Sequence, residues 1–453
     1  MDDLLTLAQK IRARQISPVE ITERLLKKIE AQNPALNAFI TVAADEALAA
    51  AKKAEQELYR NTYRGPLHGI PIGIKDMIET KGLRTTMGSG IFKDYIPEKD
   101  AAVVQKLKEA GAVILGKLHT HEFAYGPMGD RSYFGPARNP HDRHKIAGGS
   151  SSGAGAAVAA GLCYGAVGTD TGGSVRIPAS CCGVVGLKPT YGRVAVDGVF
   201  PLSYSLDHVG PLTRTVLDNA ALFQAMIHGV DLNETWAKVE KVIADFDLSK
   251  TVIAIPDDYF LDDVDDEVQQ AFADAIQSLE AAGAQIRSIS LPDLESIRWA
   301  QPIVQKSEAY AIHEKWIEAR SKDYDPEVYE RLLEGKQPKG YEYVRAIRMR
   351  EEITQQVEAC FKTADVLMTP TLPILPTNID QRELILNGKT LKVRSALLKN
   401  TSPWNYTGHP ALSVPCGRSK TGLPIGLQII GPLHQEIRLY AFARQIERVA
   451  AAV

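Results

Sequence analysis

Cysteine is scarce in this chain, and the five cysteines among its 453 residues form no C-x-x-C pair. An odd count without paired spacing excludes a disulfide framework and a structural zinc site as organising features. A reducing compartment fits better, and we expect Cys181 and Cys182 to be small buried side chains. The amino-terminal sequence Met1-Asp2-Asp3 has no apolar run behind it. We therefore expect no signal peptide and a cytoplasmic protein.

Long hydrophobic runs and an excess of one charge are also missing. The longest uncharged stretch, 146–169, consists mostly of glycine, alanine and serine, which makes it too polar for a membrane span. The formal net charge is −3 with both signs interspersed, so direct nucleic-acid binding is not expected. The remaining composition is ordinary for a globular protein, and the chain is long enough to bury a large core.

The periodicity of apolar residues predicts helices in the first sixty residues and alternating strands and helices after residue 65. Isoleucines at every second position of 70–74 predict a strand with Lys75 at its end, on the face opposite the isoleucines. Strand, helix and strand follow one another over 251–289, and 295–364 is again helical by period. This alternation predicts an α/β fold in which helices cover both faces of a sheet.

Two loops rich in glycine and hydroxyl residues, 148–155 and 168–174, are the most informative segments. The run Thr171-Gly172-Gly173 offers consecutive backbone N–H groups with little side-chain bulk, which can form a nest for an oxyanion. Ser174 at its end is placed to attack a carbonyl carbon held there. None of the ten histidines lies in a pattern that demands a triad. Lys75 is then the candidate base, provided that burial lowers its pKa towards neutrality.

Three other interpretations of these loops fail on physical grounds. The segment 149–153 fits the G-x-S-x-G elbow of α/β-hydrolases with Ser151 as nucleophile, but it leaves the second glycine loop without a role. The sequence Asp170-Thr171-Gly172 resembles one loop of an aspartic protease, yet the second such loop is missing. A phosphate-binding loop at 148–155 lacks the Gly-Lys-Ser/Thr that would follow.

Taken together, the motifs resemble the amidase signature family. They are Gly73-Ile74-Lys75-Asp76, Gly148-Gly149-Ser150-Ser151 and 168–176, with further similar segments at 122–126, 182–190, 207–212 and 422–428. Ser150 lies 75 residues after Lys75, and Ser174 lies 24 residues after Ser150, as in the family. The resemblance extends over residues 20–450. It implies the family's fold, a large mixed, twisted β-sheet covered by helices on both faces.

The resemblance also implies a Ser-cisSer-Lys triad. Ser174 would be the acyl-forming nucleophile, Ser150 the bridging serine after a cis peptide bond, and Lys75 the base. The implied oxyanion donors are the backbone N–H groups of Thr171, Gly172, Gly173 and Ser174, and the supporting residues are Ser151, Asp170 and Arg176. Ser152 departs from the family, in which many members have glycine. No metal and no organic cofactor are implied.

The resemblance implies a single domain over residues 1–453. A helical arm covers 1–60, the catalytic core covers 65–220, and 221–453 completes the sheet and holds the variable substrate pocket. The candidate pocket residues are Met128, Gly129, Tyr310, Arg331 and Trp404. Each could equally belong to the core. Arg331 could pair a substrate carboxylate or form a surface salt bridge.

The expected reaction is hydrolysis of a small-molecule amide through an acyl-enzyme, releasing a carboxylic acid and ammonia or an amine. One alternative is the glutaminase component of the tRNA-dependent amidotransferase, which hydrolyses glutamine and passes ammonia to partner subunits. A glutamine site needs a carboxylate for the α-amino group. By resemblance its position falls near Leu398, and no Asp or Glu lies between Leu391 and Pro424. A second alternative is a non-catalytic scaffold, and a homodimer is left open.

Overall fold

The computed structural model describes residues 1–229, 232–291 and 294–450. The strands in these ranges are β1 (Phe39–Val42), β2 (Pro71–Lys75), β3 (Val113–Leu118), β4 (Gly165–Asp170), β5 (Val185–Lys188), β6 (His208–Thr213), β7 (Val252–Pro256), β8 (Gln285–Ile289), β9 (Val366–Pro370), β10 (Glu383–Leu386), β11 (Lys389–Lys392), β12 (Ala411–Arg418) and β13 (Pro424–Ile430). Strands β10 and β11 form a separate hairpin. The other strands form one sheet in the order β1-β3-β2-β4-β6-β5-β12-β13-β9-β7-β8.

The α-helices in the same ranges are α1 (Leu4–Arg12), α2 (Pro18–Leu36), α3 (Ala44–Tyr59), α4 (Ala102–Glu109), α5 (Ser152–Ala159), α6 (Arg176–Cys182), α7 (Val216–His228), α8 (Leu232–Ala244), α9 (Asp266–Ala281), α10 (Leu294–Ile317), α11 (Pro326–Leu333), α12 (Gly340–Cys360), α13 (Val393–Lys399), α14 (Ser402–Thr407) and α15 (Glu436–Ala450). Within the described ranges, no helix combines the length and the apolar character needed to cross a membrane.

The sheet mixes parallel and antiparallel pairs, and its central strands are buried on both faces. Strand β2 is parallel to β3 and to β4, and β7 is parallel to β8 and to β9. Every residue of β2, β4 and β13 is buried, although neighbouring side chains point to opposite faces. Both faces are therefore covered, and the predicted α/β class is confirmed.

The amino-terminal helices belong to the same body as the sheet. Helix α1 buries its apolar stripe, which begins at Leu4. The N–H groups of Leu4 and Leu5 donate to the carboxylate of Asp218 on α7, at 3.0 and 3.1 Å. Helix α2 begins at Pro18, where the Ser17 hydroxyl accepts two hydrogen bonds from the first turn. The predicted arm over 1–60 thus packs on the rest of the chain.

The parallel pairing of β2 with β4 positions the two glycine loops. Ile74 pairs with Val167, so Lys75 at the end of β2 lies beside the last residues of β4. The carboxyl ends of parallel neighbours meet at one edge of a sheet. The loop before α5 and the loop between β4 and α6 therefore meet there.

Candidate active site

The base predicted from the sequence is buried and contacts the predicted bridging serine. Lys75 has no exposed surface, and its Nζ lies 2.7 Å from Ser150 Oγ and 2.7 Å from Thr169 Oγ1. Burial lowers the pKa of Lys75 to about 7, against the smaller raising effects of Asp170 and Asp207. A lysine amine with this pKa is largely neutral in mildly alkaline solution and can accept a proton from the Ser150 hydroxyl.

Ser151 joins the two loops. Its Oγ accepts from the Thr169 N–H at 3.2 Å and donates to the Thr169 carbonyl at 3.1 Å. Its own N–H donates to the Ser174 carbonyl at 3.2 Å. The preceding Gly149–Ser150 peptide bond is cis, as the resemblance implies. Ser151 thus ties the serine loop to the end of β4 and to the residue predicted as nucleophile.

Ser152, the departure from the family pattern, has a partner of its own. Its Oγ lies 2.8 Å from His119 Nδ1, and His119 Nε2 lies 2.7 Å from the Gly135 carbonyl. Because a carbonyl only accepts, we assign the ring proton to Nε2, which leaves Nδ1 to accept from Ser152. Burial lowers the pKa of His119 to about 4, so the ring stays neutral. The extra hydroxyl is therefore satisfied beneath the serine loop.

The second loop carries Ser174 and a set of unpaired N–H groups. Ser174 is 5% exposed, and its Oγ makes no hydrogen bond to a described residue, Ser150 included. The N–H groups of Thr171, Gly172 and Ser174 likewise have no acceptor within the described part of the chain. These three groups can stabilise an oxyanion at this edge of the sheet.

Gly173 differs from the expectation. Its N–H donates to Asp170 Oδ1 at 2.8 Å, so it is not available to a substrate oxygen in this structure. The prediction of Gly173 as an oxyanion donor is thereby corrected. Its φ is +136°, and a Cβ at this position would lie 2.3 Å from Thr401 Oγ1. Glycine is needed here for the turn rather than for a donor.

A fully buried ion pair holds this loop in place. Arg176 Nη2 lies 3.0 Å from Asp170 Oδ1, and Arg176 Nε lies 3.1 Å from Asp170 Oδ2. Asp170 also accepts from the Val175 N–H at 3.1 Å and from Asn405 Nδ2 at 2.8 Å. Burial opposes ionisation of Asp170, but the Arg176 charge and these hydrogen bonds hold its pKa below the usual range. Asp170 and Arg176 therefore support the loop.

Distant segments add further supports that sequence reasoning did not assign. Thr171 Oγ1 donates to Asp207 Oδ1 at 2.6 Å, and Thr401 Oγ1 donates to the Gly172 carbonyl at 2.7 Å. Burial raises the pKa of Asp207 to about 6, although the hydrogen bond from Thr171 lowers it. Asn405 and Thr401 lie more than 200 residues from the loop in sequence, so no local pattern identifies them.

A cavity of about 460 Å³ lies beside the same loop. A Cβ on Gly172 would lie 3.2 Å from Leu398 Cδ2, 3.9 Å from Gln301 Nε2 and 4.0 Å from Ser402 Cβ. These three neighbours all line the cavity, which therefore opens two residues before Ser174. A larger cavity of about 830 Å³ between α9 and the end of β12 shares no residue with it. We take the smaller one as the substrate pocket because it adjoins the loop.

Four of the predicted pocket residues lie elsewhere. Met128 and Trp404 are buried in apolar clusters, and Tyr310 is partly buried in an aromatic one. Gly129 packs against Ser152, whose Cβ would lie 2.4 Å from a Cβ at position 129. None of these four lines the cavity beside Gly172. The sequence allows a core position for them equally well, because apolar residues suit either environment.

Arg331 is also corrected as a pocket residue. It is 7% exposed, and its Nη2 lies 2.7 Å from Glu327 Oε1. Its Nη1 donates to the Tyr125 carbonyl. Because these acceptors occupy the guanidinium inside the protein, Arg331 has no need of a substrate carboxylate. The arginine that lines the cavity is Arg394, on α13.

Comparison with known proteins decides the family. The Amidase family model matches residues 20–440. This chain belongs to the Amidase family. The A chain of the glutamyl-tRNA(Gln) amidotransferase of Geobacter sp. (strain M21) is 39% identical over 472 residues, which cover 98% of this chain and 96% of the relative.

Two solved structures show how closely the Amidase fold is kept. The crystal structure of a protein described as an amidase superposes with a TM-score of 0.91 at 33% identity, covering 99% of each chain. The corresponding glutamyl-tRNA(Gln) amidotransferase component of Thermotoga maritima superposes with a TM-score of 0.76 at 32% identity, covering 95% of this chain and 91% of that one. Both likenesses extend over nearly the whole chain. The large mixed sheet is therefore shared with other Amidase family structures.

Some site residues of this Amidase family member are missed by sequence reasoning although a signal exists. Thr169 directly precedes Asp170 in a motif whose glycines dominate its interpretation. A hydroxyl at the end of β4, beside a parallel strand that ends in a lysine, is a predictable partner of Lys75. Arg394 offers no such signal, because its place in the cavity depends on how α13 packs against α10.

Proposed function

We propose that the chain hydrolyses a carboxamide by forming an acyl-enzyme on Ser174. The observation that carries this proposal is the 2.7 Å contact between the buried Lys75 amine and Ser150, beside a loop with unpaired N–H groups. Neutral Lys75 takes the proton of Ser150 while Ser150 takes that of Ser174. Ser174 Oγ then attacks the carbonyl carbon, and the N–H groups of Thr171, Gly172 and Ser174 stabilise the oxyanion.

The second half of the reaction uses the same groups in reverse. The proton returns from Lys75 through Ser150 to the amide nitrogen, which leaves as ammonia or an amine. Water then attacks the acyl-enzyme, and its proton follows the same path to the lysine. Collapse of the second intermediate releases the carboxylic acid and restores Ser174. Each oxyanion donor in such a site contributes about 10²–10³-fold to the rate.

Substitution of the nucleophile tests the proposal. Ser174→Ala should lower kcat for ammonia release from carboxamides by about 10⁴-fold or more, because the acyl-enzyme cannot form. The assay is a panel of aliphatic and aromatic carboxamides with ammonia detection. Ser249→Ala, at an exposed serine, is the matched control and should keep the wild-type rate. Equal rates in wild type and Ser174→Ala would overturn the assignment.

The glutaminase component of a tRNA-dependent amidotransferase is the second candidate. The name of the Geobacter relative favours it over the free-standing amidohydrolase expected from the sequence. On this hypothesis Ser174 hydrolyses glutamine, and partner subunits use the ammonia to amidate Glu-tRNA(Gln) or Asp-tRNA(Asn). Leu398 favours the free-standing enzyme, because it lines the cavity at the position where the resemblance places the carboxylate for the α-amino group. The TM-score of 0.91 with a protein described as an amidase supports the same side.

Partner dependence distinguishes the two candidates. The isolated chain is assayed on L-glutamine and on simple carboxamides, and a tagged chain is then purified from its native cell with whatever remains bound. Turnover of simple amides without a partner supports the free-standing amidohydrolase. Glutamine hydrolysis that appears only with co-purified subunits supports the amidotransferase.

A further inference from the structure

We propose that Arg394 and the Tyr125 hydroxyl bind a carboxylate of the substrate, so that the preferred substrate is an amide that also carries an acid group. The inference rests on the proposed function for the bond that is cleaved. It adds a specificity-determining pair on the wall of the cavity beside Gly172, at a distance from the triad.

Arg394 is a guanidinium without an anion. It lines the cavity, its Nε is buried, and that atom has no hydrogen-bond partner among the described residues. No carboxylate of a described residue lies within 4.0 Å of it. Burial lowers the pKa of Arg394, and the nearby charge of Arg331 lowers it further. An unpaired cation in such a place gains most from an anionic ligand that enters the cavity.

The other cations of the cavity wall are already engaged. Arg298 Nη1 lies 3.6 Å from Glu295 Oε1, and Lys306 Nζ lies 2.8 Å from Glu334 Oε2. A third, the amine of Lys399, donates to a backbone carbonyl. The free attraction for an anion is thus concentrated at Arg394.

Two carboxylates also belong to the cavity wall, on the loop after β7. Asp263 Oδ1 lies 2.7 Å from Lys389 Nζ, and Asp262 is exposed. Neither carboxylate pairs with Arg394. They mark the rim that faces solvent, where screening weakens their field.

Tyr125 provides the second, independent observation. It is 1% exposed and lines the cavity, and its hydroxyl has no hydrogen-bond partner among the described residues. Burial raises the pKa of Tyr125, so the hydroxyl remains a donor. A buried phenol without an acceptor costs free energy that a substrate carboxylate would recover. Arg394 and Tyr125 together offer the donors that such a group accepts.

Paired substrates test the proposal. Malonamate, succinamate and glutaramate are each compared with the neutral amide in which a methyl group replaces the carboxylate. We expect kcat/KM for at least one acid to exceed that of its neutral partner by about tenfold or more. Arg394→Gln should then lower kcat/KM for that acid by about 30-fold or more and change the neutral amide by less than about twofold.

Two further variants control for folding and charge. Tyr125→Phe keeps the shape of the side chain and should weaken the acid substrate by about five- to tenfold without loss of thermal stability. Lys392→Gln removes an exposed cation that lines the same cavity and should leave the preference for acids unchanged. A preference that disappears with Lys392 and survives without Arg394 would overturn the proposal.

Binding to a protein that cannot turn over separates this proposal from the proposed function. Calorimetry measures the affinity of the three acids for Ser174→Ala, with and without Arg394→Gln. Binding that depends on Arg394 supports the site even if no amide is hydrolysed, in which case only the proposed function fails. Equal hydrolysis of acid and neutral amides, or the absence of Arg394-dependent binding, would overturn the site.

Discussion

At the scale of single residues, the chemistry of Lys75 depends on its burial. With a pKa of about 7, its amine is mostly neutral above that pH and mostly protonated below it. Only the neutral amine accepts a proton. We therefore expect kcat/KM on an uncharged amide to be level above about pH 8 and to fall about tenfold per pH unit below about pH 6.

A pH–rate profile measured with an uncharged substrate checks this expectation. Circular dichroism at each pH confirms that the protein stays folded. Lys75→Arg is the informative comparison, because a guanidinium keeps its proton throughout and should show no active alkaline limb. A wild-type rate that stays level down to pH 5 in the folded protein would rule out a lysine base.

Thr169 is a positioning residue for the same lysine. A neutral amine has one lone pair, and donation of an N–H to Thr169 Oγ1 helps to direct that lone pair towards Ser150. Thr169→Val should lower kcat by about tenfold, the effect of one lost hydrogen bond, with a smaller change in KM. Thr169→Ser should restore most of the rate. Steady-state kinetics on both variants measure this split, and a change confined to KM would contradict it.

At the scale of elements, the loop between β4 and α6 requires its two glycines for different reasons. A Cβ on Gly172 would meet the flexible end of Leu398 at 3.2 Å, whereas a Cβ on Gly173 would collide with Thr401 Oγ1 at φ +136°. Gly173→Ala should destabilise the protein by about 3 kcal/mol and abolish most activity. Gly172→Ala should keep the fold and raise KM, because its methyl group enters the cavity.

Urea denaturation and steady-state kinetics on the two variants form a matched pair. The glycines are adjacent, and the substitution is the same. Similar stability losses at both positions would contradict the account of the loop.

The elements show where local patterns suffice. Strand β8 has the bounds 285–289 that periodicity predicts, because alternation is a property of neighbouring residues. Periodicity predicts that 295–364 is helical, but the structure divides the segment among α10, α11 and α12. Short connecting segments interrupt the period there, and Asp325 caps the start of α11. Such breaks depend on packing as well as on composition.

At the scale of the whole molecule, the order of strands supports the proposal of a single domain. Strands β1 to β6 come from residues before 220, and β12 pairs directly with β5. A fragment ending at residue 220 would expose the edge of β5 and lose the side chains of Asn405 and Gln428, which contact Arg176. We expect the full chain to unfold in one transition and fragment 1–220 to show none.

Calorimetry of the full chain and of the fragment measures this directly. The control is the full chain cut after residue 220 and left unseparated, in which both pieces remain together. A sharp transition in the isolated fragment would contradict the single domain.

The sequence by itself determined the α/β class, the family and the identities of Lys75, Ser150 and Ser174. Strand periodicity is local, and the family spacings lie in short motifs, so both can be read along the chain. Only the tertiary structure decided that Gly173 serves the turn, that Arg331 is already paired and that Arg394 lines the cavity. These outcomes depend on contacts between segments up to more than 200 residues apart, and such contacts exist only once the sheet has brought distant strands together.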